Sequence, residues 1–322
     1  MDTGSHLLFG CSLAGLACVD PVVAQNPELV TAVAMCTLIG SNAPDLDTVV
    51  RVKGYASYVR YHRGITHSIP AWFIWPAVIA LPIAFFMHLE SYIWTLYLWA
   101  FLAVVFHIFL DALNTYGVQC YRPVTKKWIH YDILAIFEPL LFVLHLAGVV
   151  LWLSGVWEAG AIFTTIYLAT FAYIGMRIWQ HRLVVKRVEQ HLGDVIKGTC
   201  QVQPTFHWFR WSFVAEGEDC YYTGEVANQQ VLVRDSYGKT SSDPIVYATL
   251  QTDGVRAFLH IAQLIHVTYK ELHDGYEVIW SDVRFWHNRK LPFGVDVRLD
   301  KNLRVVKCSF GWRKKAWEAP YV

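Results

Sequence analysis

The sequence predicts an all-α transmembrane helical bundle of about six spans, followed by a small soluble α+β domain. Three observations predict it. Hydrophobic residues make up 55% of the chain and charged residues 16%, whereas a soluble globular protein carries about 25% charged residues. The charge is also unevenly placed. Of 27 Lys and Arg, only Arg51, Lys53, Arg60, Arg63, Arg122, Lys126 and Lys127 precede Arg177. Finally, apolar runs long enough to cross a bilayer occur only in the first 180 residues.

A bilayer core needs about 20 apolar residues per helix. Ile69–His88, Tyr92–Leu113 and Ala159–Trp179 meet that length, and Ile133–Leu153 meets it if Glu138 is tolerated near its start. His6–Val23 and Leu29–Ala43 are shorter. The basic residues support six spans. They fall after the second, fourth and sixth apolar runs, while the alternate connections near Asp20–Glu28, His88–Ser91 and Ser154–Glu158 contain no Lys or Arg. Positive-inside bias then predicts a multi-pass protein of the cell membrane with both termini in the cytoplasm.

The membrane-embedded domain is expected over residues 1–180, a basic juxtamembrane helix over 181–198 and a cytoplasmic α+β domain over 199–322. In the last, Thr199–Val202, Trp208–Val214, Cys220–Val226 and Gln230–Val233 read as short strands, Val255–Leu264 as a helix, and His266–Tyr269 and Tyr276–Phe285 as strands. Alternation at Val295, Val297 and Leu299, before Asp300-Lys301-Asn302, predicts a hairpin. No basic stripe marks a nucleic-acid partner. The seven cysteines are odd in number, scattered and free of Cys-x-x-Cys, which argues against a disulfide framework or a zinc ribbon. Met1-Asp2-Thr3-Gly4 lacks the basic start of a cleaved signal peptide, so His6 is expected in the working protein.

Ionisable side chains at the edges of spans are functional candidates, and here they gather at one membrane face. His6 begins the first span, and Asp45 and Asp47 follow the second. His62, Arg63 and His67 precede the third, and His107 and Asp111 end the fourth. His130, Asp132 and Glu138 begin the fifth. On a helix, His107 and Asp111 share a face as an i,i+4 pair and can hold one ion. His6, Asp45, Asp47, His62, His67, His107, Asp111 and Glu138 are the candidate ligands. Imidazole with carboxylate suits zinc, and also manganese or iron; more than four ligands implies two or three ions. Arg63, inside the His62–His67 block, is a candidate phosphate contact. Asp45 and Asp47 are candidates for bridging ligand or general base. His145, mid-span, reads as a polar residue bonded between helices.

At Asp2-x-x-x-His6, Pro44-Asp45-Leu46-Asp47, His62-Arg63-Gly64-Ile65-Thr66-His67-Ser68 and His107-x-x-x-Asp111-Ala112-x-Asn114-Thr115-Tyr116-Gly117, the chain resembles the membrane-bound metal-dependent hydrolases typified by the YdjM protein. The resemblance covers roughly residues 1–180, and the tail is similar to that of the longer, Bacillus-type members. A more distant likeness is to the zinc-dependent phospholipase C and P1 nuclease group, which holds three zincs. The order His6, Asp45 or Asp47, His62 or His67, then His107 and Asp111 follows that group. The later His-x-x-x-Glu of that group is missing; His130 and Glu138 stand in the corresponding part of the chain.

These readings converge on an integral membrane metal-dependent hydrolase cleaving a phosphoester, in a phospholipid or lipid-linked substrate, with membrane lipids as its surroundings. The alternatives are a non-catalytic membrane scaffold, with a structural metal site and a partner-binding tail, and a metal or proton transporter. The transporter is disfavoured because only His145 lies mid-span, so no relay of ionisable groups crosses the bilayer.

Overall fold

The computed structural model describes residues 1–239 and 243–313; residues 314–322 of the expected tail domain lie outside the described residues. The chain divides into two compact units. The first comprises Met1–Thr48 and His62–Trp179, the second Val49–Tyr61 and Gln180–Val322.

The first unit is helical. It contains α1 (Thr3–Ala17), a single turn α2 (Pro21–Ala24) and α3 (Pro27–Gly40), and the chain then tightens into a 3-10 segment from Ala43. Another 3-10 turn (Ile65–His67) leads into α5 (Ile69–Phe86), followed by α6 (Ile93–Ala112), α7 (Pro139–Leu153) and α8 (Ala159–Leu192). The starts are written in the sequence. Asp2 accepts from Ser5 N at 3.0 Å and Asn26 accepts from Glu28 N and Leu29 N, both at 3.1 Å, with Pro27 at the first turn of α3.

Packing uses small residues, as helices in lipid require. A Cβ on Gly40 would sit 3.0 Å from the Ala100 carbonyl oxygen, and one on Gly10 3.0 Å from that of Thr37. These approaches hold α1, α3 and α6 together. On the outside of α5, Val78, Leu81, Phe85 and Phe86 are exposed, as expected of a lipid-facing surface.

Among the described residues, three helices are long and apolar enough to cross a membrane: Ile69–Phe86, Glu90–Ala112 and Ala159–Val195. A fourth span arises if Pro27–Gly40 and Ala43–Lys53, bent by 42°, are taken together. This is fewer than the six expected. At about 1.5 Å per residue, the 15-residue helices α1 and α7 reach about 22 Å, short of the roughly 30 Å hydrocarbon core. The expected span from Ile133 starts only at Pro139, because residues 133–138 are irregular. The expected juxtamembrane helix is no separate element: α8 runs unbroken past Trp179 and stops at Gly193, whose φ of +49° suits a helix end.

Among its described residues, the second unit holds two four-stranded antiparallel meanders, β1-β2-β3-β4 and β5-β6-β7-β8. The first comprises β1 (Cys200–Pro204), β2 (Trp211–Glu216), β3 (Cys220–Ala227) and β4 (Gln230–Gly238). The short α9 (Pro244–Tyr247) and α10 (Asp253–Ile261) precede β5 (Ile265–Leu272), β6 (Gly275–Asp282), β7 (Phe293–Asp300) and β8 (Val305–Trp312). Asn228 and Gln229, both at positive φ, close the β3–β4 hairpin, as a two-residue turn demands. Val184 and Val188 of α8 pack into the core of the first sheet with Val202, Trp211 and Phe213. Residues 49–61, a loop by sequence, belong here too. They include α4 (Tyr55–Tyr61); Tyr55 meets Phe310 edge-on and Arg60 pairs with Asp253 at 2.8 Å.

Candidate metal centre

The ridge of α6 that packs on Gly40 continues two turns further to His107 and then Asp111, both buried. The end of α3 delivers the Ser41 carbonyl, 2.7 Å from His107 Nδ1. A carbonyl can only accept, so Nδ1 carries the proton and Nε2 keeps its lone pair. From α1, His6 stacks on His107 with ring centroids 3.8 Å apart. The 3-10 turn before α5 adds His67. The Thr66 hydroxyl donates to Asp47 Oδ2 at 2.6 Å and therefore accepts from His67 Nδ1 at 3.0 Å. His67 Nε2 is thereby left as a lone-pair donor as well. Fixing the far nitrogen in this way is how metal-binding imidazoles are oriented.

The free atoms converge. His67 Nε2 lies 3.4 Å from His107 Nε2, 3.5 Å from Asp45 Oδ1 and 3.6 Å from Asp111 Oδ2. His107 Nε2 lies 3.7 Å from Asp45 Oδ1 and 3.6 Å from Asp111 Oδ2. These separations are long for direct hydrogen bonds. Four ligands held tetrahedrally at about 2.1 Å from one ion would stand about 3.4 Å apart, so the spacing fits a cation. Asp45 Oδ1, Asp111 Oδ2 and His6 Nε2 are buried with no hydrogen-bond partner among the described residues, and His6 Nε2 is 3.5 Å from Asp111 Oδ1. Orphan acceptors in a protein interior are costly, and a cation satisfies them together. The buried cluster of Asp45, His67, His107 and Asp111 could bind a metal ion. Burial opposes a proton on His67, but the negative charges of Asp111 and Asp45 beside it prevail and raise its pKa above the ordinary 6.5.

Asp45 also belongs to a second group of possible ligands, with Asp47 and His62. His62 Nδ1 donates to Asp47 Oδ1 at 2.6 Å and lies 3.9 Å from Asp45 Oδ1. The two groups differ in access. The Asp111 and His67 side chains are 0% exposed, whereas those of Asp45 and His62 are 17% and 15% exposed. Water reaches the pair of groups from the second one.

Arg63 is turned inward. Its guanidinium meets Asp111 Oδ1 at 3.1 Å, donates to Asn114 Oδ1 at 3.2 Å and to the Gly117 carbonyl at 3.3 Å, and lies over the Tyr116 ring. Its backbone N–H, presented by a φ of +62°, donates to Asp47 Oδ2 at 3.0 Å. The Met1 amine is also ion-paired with Asp111 Oδ1. One oxygen of Asp111 is thus clamped while the other is left for the cluster.

Of the eight ligands expected from sequence, the structure brings His6, Asp45, Asp47, His62, His67, His107 and Asp111 together. It does not bring in Glu138. That carboxylate precedes Pro139 and folds back, accepting from Ala135 N and the Tyr173 hydroxyl, each at 2.8 Å. His130 is likewise engaged elsewhere, with Asp132 at 2.9 Å. His145 bonds Ser12 and Thr170, both at 2.8 Å, which ties α7 to α1 and α8. The orienting groups Ser41, Thr66 and Asn114 carry no ligand signature in sequence. Only their places inside the motifs single them out.

Residues 1–184 match the family described as "YdjM inner membrane protein", and residues 244–318 match the "YfhP C-terminal alpha/beta plait domain". The chain is 33% identical over 320 residues to the Bacillus subtilis (strain 168) protein named "Uncharacterized protein YfhP", covering 97% of this chain and 95% of that one. No solved structure matches the chain significantly. With the apolar helices and the His/Asp motifs of its first part, the chain belongs to the YdjM inner membrane protein family, in the longer form that carries a YfhP-type C-terminal domain.

Proposed function

We propose that the protein is a membrane-embedded, metal-dependent hydrolase that cleaves a phosphoester in a phospholipid or lipid-linked substrate. Asp45 is its shared carboxylate. The carrying observation is that one oxygen of Asp45 faces both ligand groups. His6, His67, His107 and Asp111 complete an inner site with Asp45; Asp47 and His62 complete an outer one. Zinc fits this mixture of imidazole and carboxylate, with manganese or iron as competitors. When bound, a pair of such ions lowers the pKa of a water and clamps the attacking and leaving oxygens of a phosphoester.

The remaining work belongs to the chain. Ser41 and Thr66 hold His107 and His67 in the ligand tautomer. Arg63 and Asn114 fix Asp111, so Arg63 is a positioning residue for that carboxylate and not a contact on the substrate. Asp47 accepts from His62, Thr66 and the Arg63 backbone, which hold its carboxylate in place in the outer group. Its hydrogen bond to His62 gives a proton a path away from the site. The placement of these groups next to apolar helices favours a substrate whose head group lies at the membrane surface.

The complete burial of the inner group favours a second reading, in which its ion only fastens helix ends and the tail recruits a partner. Protein purified without chelators should contain close to two ions per chain and hydrolyse a generic phosphodiester or a member of a lipid panel. Metal at that level with no turnover on any substrate supports the fastening role. Undiminished turnover by the His107→Ala, Asp111→Ala variant excludes the hydrolase.

A further inference from the structure

The β1–β2 hairpin ends in Thr205-Phe206-His207-Trp208-Phe209-Arg210. Phe206 is 70% exposed, Phe209 76% and Trp208 41%, and the Trp208 and Phe209 rings stack 6.0 Å apart. An exposed aromatic cluster of this kind is costly in water and marks a surface that another medium covers. The loop is built to present it. The Thr205 hydroxyl donates to the Arg210 carbonyl at 2.7 Å and accepts from His207 N at 3.3 Å, so the tip is held as a compact turn.

Its location names the medium. β1 packs on α8: Val202 shares a buried cluster with Val184 and Val188, and Cys200 packs against the same cluster. The Val202 carbonyl accepts from His181 Nε2 at 3.0 Å. His181 is only two residues past Trp179, where the apolar run of the same unbroken helix ends. Residues 205–210 begin three positions after Val202. Arg182 and Lys186 on α8 and Arg210 at the tip are exposed, and their charge complements anionic head groups. Aromatic rings with cations beside them are what an interface between lipid and water accommodates.

We infer that the Phe206–Phe209 hairpin tip is a membrane-interface anchor. It inserts among the lipids of the leaflet where α8 emerges and ties the first sheet to the bilayer surface. The inference is independent of the metal centre. The test is photocrosslinking of full-length protein in vesicles of phosphatidylethanolamine and phosphatidylglycerol, with p-benzoylphenylalanine replacing Phe206, Phe209 or, as reference, the exposed Val306. Lipid adducts at 206 and 209 should exceed those at 306 by about tenfold, as expected for residues seated at the interface. Equal lipid labelling at the three positions, or adducts to protein in place of lipid at the tip, would overturn the anchor. The unmodified protein gives a second readout in the same vesicles. Hydroxyl radicals, after correction for intrinsic reactivity, should oxidise Phe206 and Phe209 several-fold less than the exposed Tyr247. Equal or greater oxidation of the two phenylalanines would also reject it.

Discussion

Asp111 in the helical unit and Asp282 in the tail are both fully buried carboxylates beside an arginine, yet they are built differently. Both oxygens of Asp282 are satisfied by the chain. Oδ1 accepts from the backbone N of Arg284 at 3.1 Å, and Oδ2 accepts from Arg284 Nη2 at 2.7 Å and from Gln263 N at 3.3 Å. Asp111 is satisfied on one side only. Oδ1 takes Arg63, Asn114 and the Met1 amine, while Oδ2 faces His67 and His107 at separations of 3.6 Å. A carboxylate satisfied on both sides closes a fold. One left half-open among imidazole lone pairs calls for a cation, because a buried acceptor without a hydrogen bond is costly.

That contrast can be broken in several ways, the largest first. His107→Ala should empty the inner group, since it removes one of the convergent lone pairs. Metal content by mass spectrometry and any phosphodiester turnover should both fall to background, while the β5–β8 sheet stays folded by hydrogen exchange. Metal retained at the parental level would remove the inner site. Asp282→Ala should do the reverse. It leaves Arg284 buried without its partner and should destabilise the second unit by about 3–5 kcal/mol, with parental metal content. Thermal unfolding followed by exchange in β5–β8 measures the loss, and a change below about 1 kcal/mol would mean that the pair matters less than its burial suggests.

Smaller effects sharpen the comparison. Thr66→Val removes the donor to Asp47 and the acceptor for His67, and should weaken metal binding about 10–100-fold, the usual cost of losing an orienting group. Competition with a chelator of known affinity would measure it; unchanged affinity would leave His67 oriented by something else. Acid should act at the same residue. Protons and metal compete for His67, and its raised pKa in the ion-free protein means that competition begins above the ordinary histidine range. Metal affinity should therefore begin to fall above pH 6.5 and continue to fall as the pH drops further, by up to about tenfold per unit for each proton displaced. A flat titration would place the ion away from His67.

How much of this was legible beforehand depends on the kind of signal. Alternation and turn residues in the tail located most strands within a few positions, because a two-residue repeat and a polar turn such as Asp300-Lys301-Asn302 are local properties of the backbone; β4 runs on to Gly238, past the expected end at Val233. Trp208–Arg210, expected in a strand, instead form the hairpin tip. The helix count was less legible. Apolar composition marks what prefers lipid, but the length of α1 and α7 is set by where caps, Pro139 and the irregular run 133–138 interrupt the backbone. The rise in charge after residue 180 coincides with the division between the two units at Trp179 and Gln180, but it does not start a new helix: α8 continues through it.

The sequence by itself determined which side chains are available for chemistry: the His107–Asp111 pair one helical turn apart, the His62–His67 block, and Asp45 with Asp47 after a span. Spacing of three or four residues on a helix fixes a shared face, so that much needs no tertiary information. Only the tertiary structure decided that His6 joins the cluster and Glu138 does not, that Arg63 turns towards Asp111, and that Asp45 stands between two groups. Those outcomes depend on how closely α1, α3 and α6 approach through Gly10 and Gly40, and on which nitrogen of each ring a distant carbonyl or hydroxyl claims. Such contacts join residues far apart in the chain, and no local repeat records them.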